Sequence, residues 1–207
     1  MIERIVLFLQ RVVYVGLSLV MRIRTIGLDN IPRTGPAIIA SNHSAGVDPF
    51  VIGCKMPRVC YYLAKKELFD NFFLGSLLKF LRAIPVDRFG QSISGVREIK
   101  RALDAGKLIL LFPEGTRSRD GSIKKPKEGV GMLACTAKAV VIPTYIEGLL
   151  HQKPSFFKRP VVTVSFGKPI DPAELTQQAE SRKDGYGAVS QAVYEQLVQF
   201  SERQSAA

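Results

Sequence analysis

Apolar residues fall along the chain in short runs separated by polar turns, and the runs alternate between two spacings. Residues 37–41 (AIIAS) follow a turn bounded by Pro32 and Pro36 and read as a buried strand. So do 58–64 (RVCYYLA), 84–86, 108–112 (LILLF), 140–146 and 161–166 (VVTVSF). Unbroken apolar runs of this length suit strands covered on both faces. Between them the spacing turns helical. A helix starts at 49–55, Phe69, Phe72, Phe73, Leu77 and Phe80 mark another over 68–81, and 92–105 is amphipathic and closed by Gly106. Residues 129–138 and 186–202 complete the set. This alternation predicts an α/β fold, a largely parallel mixed sheet flanked by helices. No repeat or linker interrupts residues 25–207, which are expected to form one domain.

The N-terminal pattern differs. Residues 5–23 are strongly apolar, but Gln10 and Arg11 interrupt them near the middle. A central arginine costs roughly 2.5–3.5 kcal/mol in a spanning helix. Residues 1–24 are therefore expected to lie in a membrane interface, with Arg4, Arg11, Arg22 and Arg24 towards headgroups. A helix packed into the core is the alternative. No small-residue cleavage site precedes Arg22, which argues against a signal peptide.

Composition narrows the class. With 46% apolar residues in 207, the chain has enough apolar material for a core and is neither disordered nor fibrous. The formal net charge is +11, and residues 1–130 hold 21 of the 29 basic side chains against 11 of the 18 acidic ones. That excess suits an anionic partner, a phospholipid surface, a phosphorylated substrate or an acidic carrier protein. No nucleic-acid-binding motif accompanies it, so no nucleic-acid partner is expected. Cys54, Cys60 and Cys135 form no CxxC pair and read as reduced thiols, and no metal site is expected.

Four segments carry candidate chemistry. In 41–49 (SNHSAGVDP), His43 and Asp48 stand five positions apart, which on a continuous helix leaves their side chains about 140° apart. They meet only if 44–46 is an irregular turn. Alternatively Asp48, followed by Pro49, is a helix N-cap. The second segment, 112–118 (FPEGTRS), follows a buried strand, where α/β sheets place their ligands. Its Glu114, Gly115, Thr116 and Arg117 read either as a phosphate-binding turn or as an ordinary loop. In 82–88 (RAIPVDR), Asp87 and Arg88 can pair at the surface. Residues 141–148 (VIPTYIEG) read as a core strand with an edge proline. The other histidine, His151, sits in a polar loop.

Taken together and in this order, these segments resemble the lysophospholipid acyltransferase family, and within it the bacterial branch that acylates 1-acylglycerol 3-phosphate. The resemblance runs over residues 27–170 and includes 64–69 (AKKELF) and 166–171 (FGKPID). It implies that a fatty-acyl group passes from acyl-coenzyme A or acyl-carrier protein to a lysolipid hydroxyl, with no resident cofactor. His43 would be the general base and Asp48 its orienter, without a covalent acyl-enzyme, although Ser44 is a candidate nucleophile. Arg88, Arg117 and Lys65 would hold the acceptor phosphate, and Glu114 would bond the acceptor's glycerol or position an arginine. The Gly115 and Thr116 amides would stabilise the oxyanion, and residues 141–146 would wall the acyl channel. Other lysolipid acceptors, such as lyso-ornithine lipid or lysophosphatidylglycerol, and a non-catalytic lipid-binding protein are the alternatives. The implied location is the cytoplasmic face of the cell membrane. One departure stands out: many members have glycine where this chain has Arg82.

Overall fold

The computed structural model describes residues 2–86, 93–150, 155–177 and 179–205. The described residues form one seven-stranded sheet of β1 (Arg22–Ile26), β2 (Ala37–Ser41), β3 (Cys60–Lys65), β4 (Ala83–Val86), β5 (Leu108–Leu111), β6 (Val140–Glu147) and β7 (Val161–Phe166). The spatial order is β1-β7-β6-β2-β5-β3-β4. Strands β2 to β6 run parallel, and the turn of direction comes at β6 and β7, which pair antiparallel. The carboxyl ends of β2, β3, β4 and β5 therefore share one edge of the sheet.

Helices cover both faces: α1 (Ile2–Val20), α2 (Asp48–Gly53) and α3 (Phe72–Phe80) on one, and α4 (Ile93–Asp104), α5 (Gly129–Ala137) and α7 (Arg182–Ser205) on the other, with the short α6 (Pro172–Thr176) before α7. Strand β2 shows how the alternation of side chains divides the core. Its Ala37 and Ile39 join Val51, Ile52 and Met21 in one cluster, while Ile38 and Ala40 join Leu133, Val189 and Val193 in the other. All five β2 residues are buried, as the unbroken apolar run predicts.

The N-terminal segment departs from expectation. Helix α1 ends at Val20, and Arg22–Ile26 is an edge strand in parallel register with β7, Arg22 beside Val161. The expected boundary at residue 24 therefore falls inside a strand. The inner face of α1 is core: Val6 is buried, Val13, Leu17 and Val20 pack against the first cluster, and Met21, just past the helix end, is buried in it. Its outer face carries Ile5, Phe8, Val12, Val15 and Leu19 into solvent. At 100° per residue these five lie within an arc of about 80°. The core-packed alternative therefore holds for the inner side of this helix, and the outer side is exposed. No helix among the described residues is long and apolar enough to cross a membrane.

Arg82 precedes β4 with φ +65°. That left-handed backbone is where glycine carries no Cβ penalty, which accounts for the glycine usual there. Its Nε is buried without a hydrogen-bond partner among the described residues.

Candidate active site

The loop after β2 turns sharply and brings His43 onto Asp48, as an irregular 44–46 turn requires. His43 Nδ1 donates to Asp48 Oδ2 at 2.8 Å. The same oxygen accepts the backbone N–H groups of Ser44 (2.7 Å) and Ala45 (2.8 Å). Asp48 is fully buried. Its carboxylate points back into the loop and makes no cap for α2, so the capping reading does not hold. A carboxylate only accepts, so the Nδ1 proton is fixed on the imidazole and Nε2 is left as the basic nitrogen. The Ser44 hydroxyl also turns to Asp48, at 3.4 Å from Oδ1, and is not held by His43 as an activated nucleophile would be.

Neighbouring elements hold this pair rigid. Phe112, leaving β5, stacks on the imidazole with ring centres 3.9 Å apart and planes at 18°. Ser118 N–H donates to the His43 carbonyl at 2.7 Å. The side-chain amide of Asn42 spans to β6, accepting from Ile146 N–H at 2.8 Å and donating to its carbonyl at 3.0 Å. Asn42 and Phe112 escaped the sequence reading. Both stand inside the quoted motifs, beside the residues that drew attention.

The 112–118 loop lies against this pair. Arg117 is exposed and its guanidinium reaches over Gly46, 3.6 Å from where a Cβ would stand. Glu114 is only 6% exposed, and neither carboxyl oxygen has a hydrogen-bond partner among the described residues. Burial pushes its pKa from 4.5 up to about 7, with the Lys124 charge and the backbone N–H groups of His43 and Lys124, which stand nearby but outside hydrogen-bonding geometry, pulling the other way. Among the described residues it holds no arginine. Gly115 adopts φ +72° and its N–H is already bonded to Phe112 O at 3.0 Å. That amide is therefore not free for an oxyanion, a correction to the expected role. Thr116 follows on the exposed side of the turn. The Lys127 side chain packs beside Gly115, so Lys124 and Lys127 add positive charge that the motif alone did not reveal.

A mostly apolar cavity of about 350 Å³ adjoins the pair. His43, Lys65 and Arg117 are its basic members. Its apolar walls come from Val6 and Val13 of α1, Phe50 of α2, Leu63 of β3, and Leu78 and Leu81 at the end of α3. Strand β6, expected as a wall, does not line it. A second cavity, about 530 Å³ between α5, α6 and α7, touches none of the motif residues. Arg88, Asp87 and His151 lie outside the described residues.

Residues 22–147 match a family described as Acyltransferase. The chain is 30% identical over 189 residues to the 1-acyl-sn-glycerol-3-phosphate acyltransferase of Bacillus subtilis (strain 168), covering 90% of this chain and 92% of that one. It is 34% identical over 146 residues to the protein of the same name from Limnanthes douglasii, spanning about half of that longer relative (52%). Among solved structures it is similar to PlsC, the 1-acyl-sn-glycerophosphate (LPA) acyltransferase of Thermotoga maritima. The TM-score is 0.69 at 25% identity, over 90% of this chain and 77% of the other.

Proposed function

The chain belongs to the acyltransferase family, and from that premise we propose that it transfers a fatty-acyl group from a thioester to the free hydroxyl of 1-acylglycerol 3-phosphate, giving phosphatidic acid. The observation that carries the reading is the 2.8 Å bond from His43 Nδ1 to the buried Asp48 carboxylate beside an apolar cavity that Arg117 also lines. His43 Nε2 takes the hydroxyl proton as the oxygen attacks the thioester carbonyl. Asp48 holds the imidazole in one tautomer and offsets the charge it gains. The tetrahedral intermediate collapses with cleavage of the C–S bond, and the departing thiolate receives the proton from His43. Every atom is accounted for without an acyl-enzyme.

The other roles follow from charge and position. Arg117 is the phosphate ligand by virtue of its guanidinium fork, with Lys65 from the cavity rim and Arg88 as further ligands. Glu114, with a pKa near 7, is available as a neutral acid to donate to the acceptor's glycerol oxygen. Thr116 N–H is the remaining backbone donor for the oxyanion. The cavity takes the acyl chain. Acyl-coenzyme A and acyl-carrier protein both suit a chain of net charge +11. The outward stripe of α1, flanked by Arg4 and Arg11, supports a peripheral or monotopic position on the cytoplasmic face of the cell membrane.

The test is product analysis by mass spectrometry with 1-acylglycerol 3-phosphate and each donor in turn, beside lyso-ornithine lipid and lysophosphatidylglycerol as rival acceptors. Phosphatidic acid formed by the native chain and not by His43→Ala is the expected result. A preference for an acceptor without a phosphate monoester would redirect the reading to that lysolipid. Lipid binding without any product would reduce it to a lipid-binding protein.

A further inference from the structure

Two surfaces besides α1 push large apolar side chains into solvent, and each adjoins it. On α3, Phe72, Phe73, Leu77 and Phe80 project within an arc of about 140°. Phe72 and Phe73 are 78% and 83% exposed, and their rings touch edge to face. The opposite side of this helix turns Leu78 into the cavity that His43 lines, with Leu81 just beyond its end. Helix α1 is built the same way, its stripe outward and Val6 and Val13 on the cavity. The third surface is the turn at 155–159, tied to the end of α1. Ser155 N–H donates to Val20 O at 3.0 Å, and the Arg159 guanidinium donates to Ser18 O. At its tip Phe156 and the fully exposed Phe157 precede Lys158.

We propose that α3 and the 155–159 turn insert into an anionic bilayer alongside α1, so that the cavity opens between α1 and α3 directly into the acyl-chain layer. The proposal rests on the reading of the substrate as a membrane lysolipid. Soluble monomers rarely leave contiguous apolar surface of this kind uncovered. Aromatic rings interleaved with lysine and arginine match the boundary between headgroups and chains. The same side carries exposed Arg4, Arg11, Lys65, Lys66, Lys79 and Lys158 against Glu3, Glu67 and Asp70, so its charge suits an anionic lipid surface. Because both helices wall the cavity from behind, a lysolipid chain passes from leaflet to cavity without crossing water.

The chain contains no tryptophan, so a single introduced indole reports on its own position. Phe73→Trp and Phe157→Trp are compared with Gln199→Trp, an exposed position on α7 across the sheet. The probe is mixed phosphatidylcholine–phosphatidylglycerol vesicles, with and without nitroxide-labelled lipid. Emission should shift to the blue and be quenched in the first two proteins and not in the third. Phe72→Ser with Phe73→Ser should weaken vesicle binding about tenfold and leave turnover of a water-soluble short-chain acceptor within about twofold, since neither ring belongs to the catalytic loops. Unshifted emission from Phe73→Trp on vesicles that sediment with the protein overturns the role of α3. A blue shift that grows with protein concentration in the absence of lipid overturns it in favour of a second copy of the chain. Failure of the native chain to bind vesicles removes the whole docking face, whereas binding with no turnover of any acceptor keeps the docking face and removes the acyl-transfer reading.

Discussion

The loops after β2 and β5 touch, yet one has its charges paired and the other does not. Asp48 accepts three N–H groups on one oxygen, and His43 is gripped by a carboxylate, an aromatic face and a backbone bond at once. Across the contact, among the described residues, Glu114 is buried with neither oxygen bonded and Arg117 lines the cavity without an ion pair. The difference separates what must be aimed before substrate arrives from what meets the substrate. A base with the wrong tautomer or tilt is useless, so its geometry is over-determined. On the proposed reading, the charges assigned to phosphate or hydroxyl are left without partners among the described residues that would compete.

Breaking the paired side should have the largest effects. His43→Ala should lower kcat by ~10²–10⁴-fold with an unchanged thermal unfolding curve. Retention of a tenth of the native rate would show that another group takes the proton. Asp48→Asn should also cut kcat severely, and it should cost about 1–3 kcal/mol of stability. The amide oxygen can still accept the N–H groups that converge there, but without the carboxylate's charge each of these bonds weakens. A denaturant titration showing no loss would mean that the loop rearranges around the amide.

The unpaired side should respond more gently and mostly through binding. Arg117→Ala should raise KM for a phosphorylated acceptor about tenfold, the side chain being solvent-exposed. Steady-state kinetics with an uncharged acceptor should show no such change, and an equal rise for both would remove the phosphate role. Glu114→Gln tests the unpaired carboxyl. Its folded pKa of about 7 exceeds the unfolded value near 4.5, so the folded state holds the proton more tightly. Native stability should therefore fall as pH rises from about 4.5 through 7. The glutamine variant should be more stable by about 1–2 kcal/mol at pH 8 and by nothing at pH 4. Parallel melting curves at both pH values would refute the buried acid. Arg82→Gly, outside both loops, is the smallest change, a gain of about 1 kcal/mol in stability at unchanged kcat.

The central strands and most helices were readable because burial on two faces leaves an unbroken apolar run, as in β2 and β5. The edge strand β1 was not, since RIRTI continues an apolar stretch and its partner lies far along the chain. Helix α6 carried its own signal, Asp171 accepting from Ala173 N–H before Pro172 at the first helical position, but five residues are too few for periodicity. In the site, residue types pointed to His43, Asp48 and Arg117. What they could not convey was occupancy. The Gly115 N–H is already bonded, the Asn42 amide bridges to β6, and a glutamate in a polar-looking loop is sealed from solvent. These are facts of packing between segments far apart in sequence.

The pairing of β1 with β7 sets an order of events during synthesis. Arg22 and Val161 are neighbours in the sheet, but at ribosomal speeds of about 5–20 residues per second the second follows the first by on the order of ten seconds. For that interval α1 and β1 have left the ribosome with no strand to join, and the apolar inner face of α1 has no finished core to cover. The packing of α1 on α2 draws on neighbouring sequence and can form early, whereas the sheet closes at the β1 edge last.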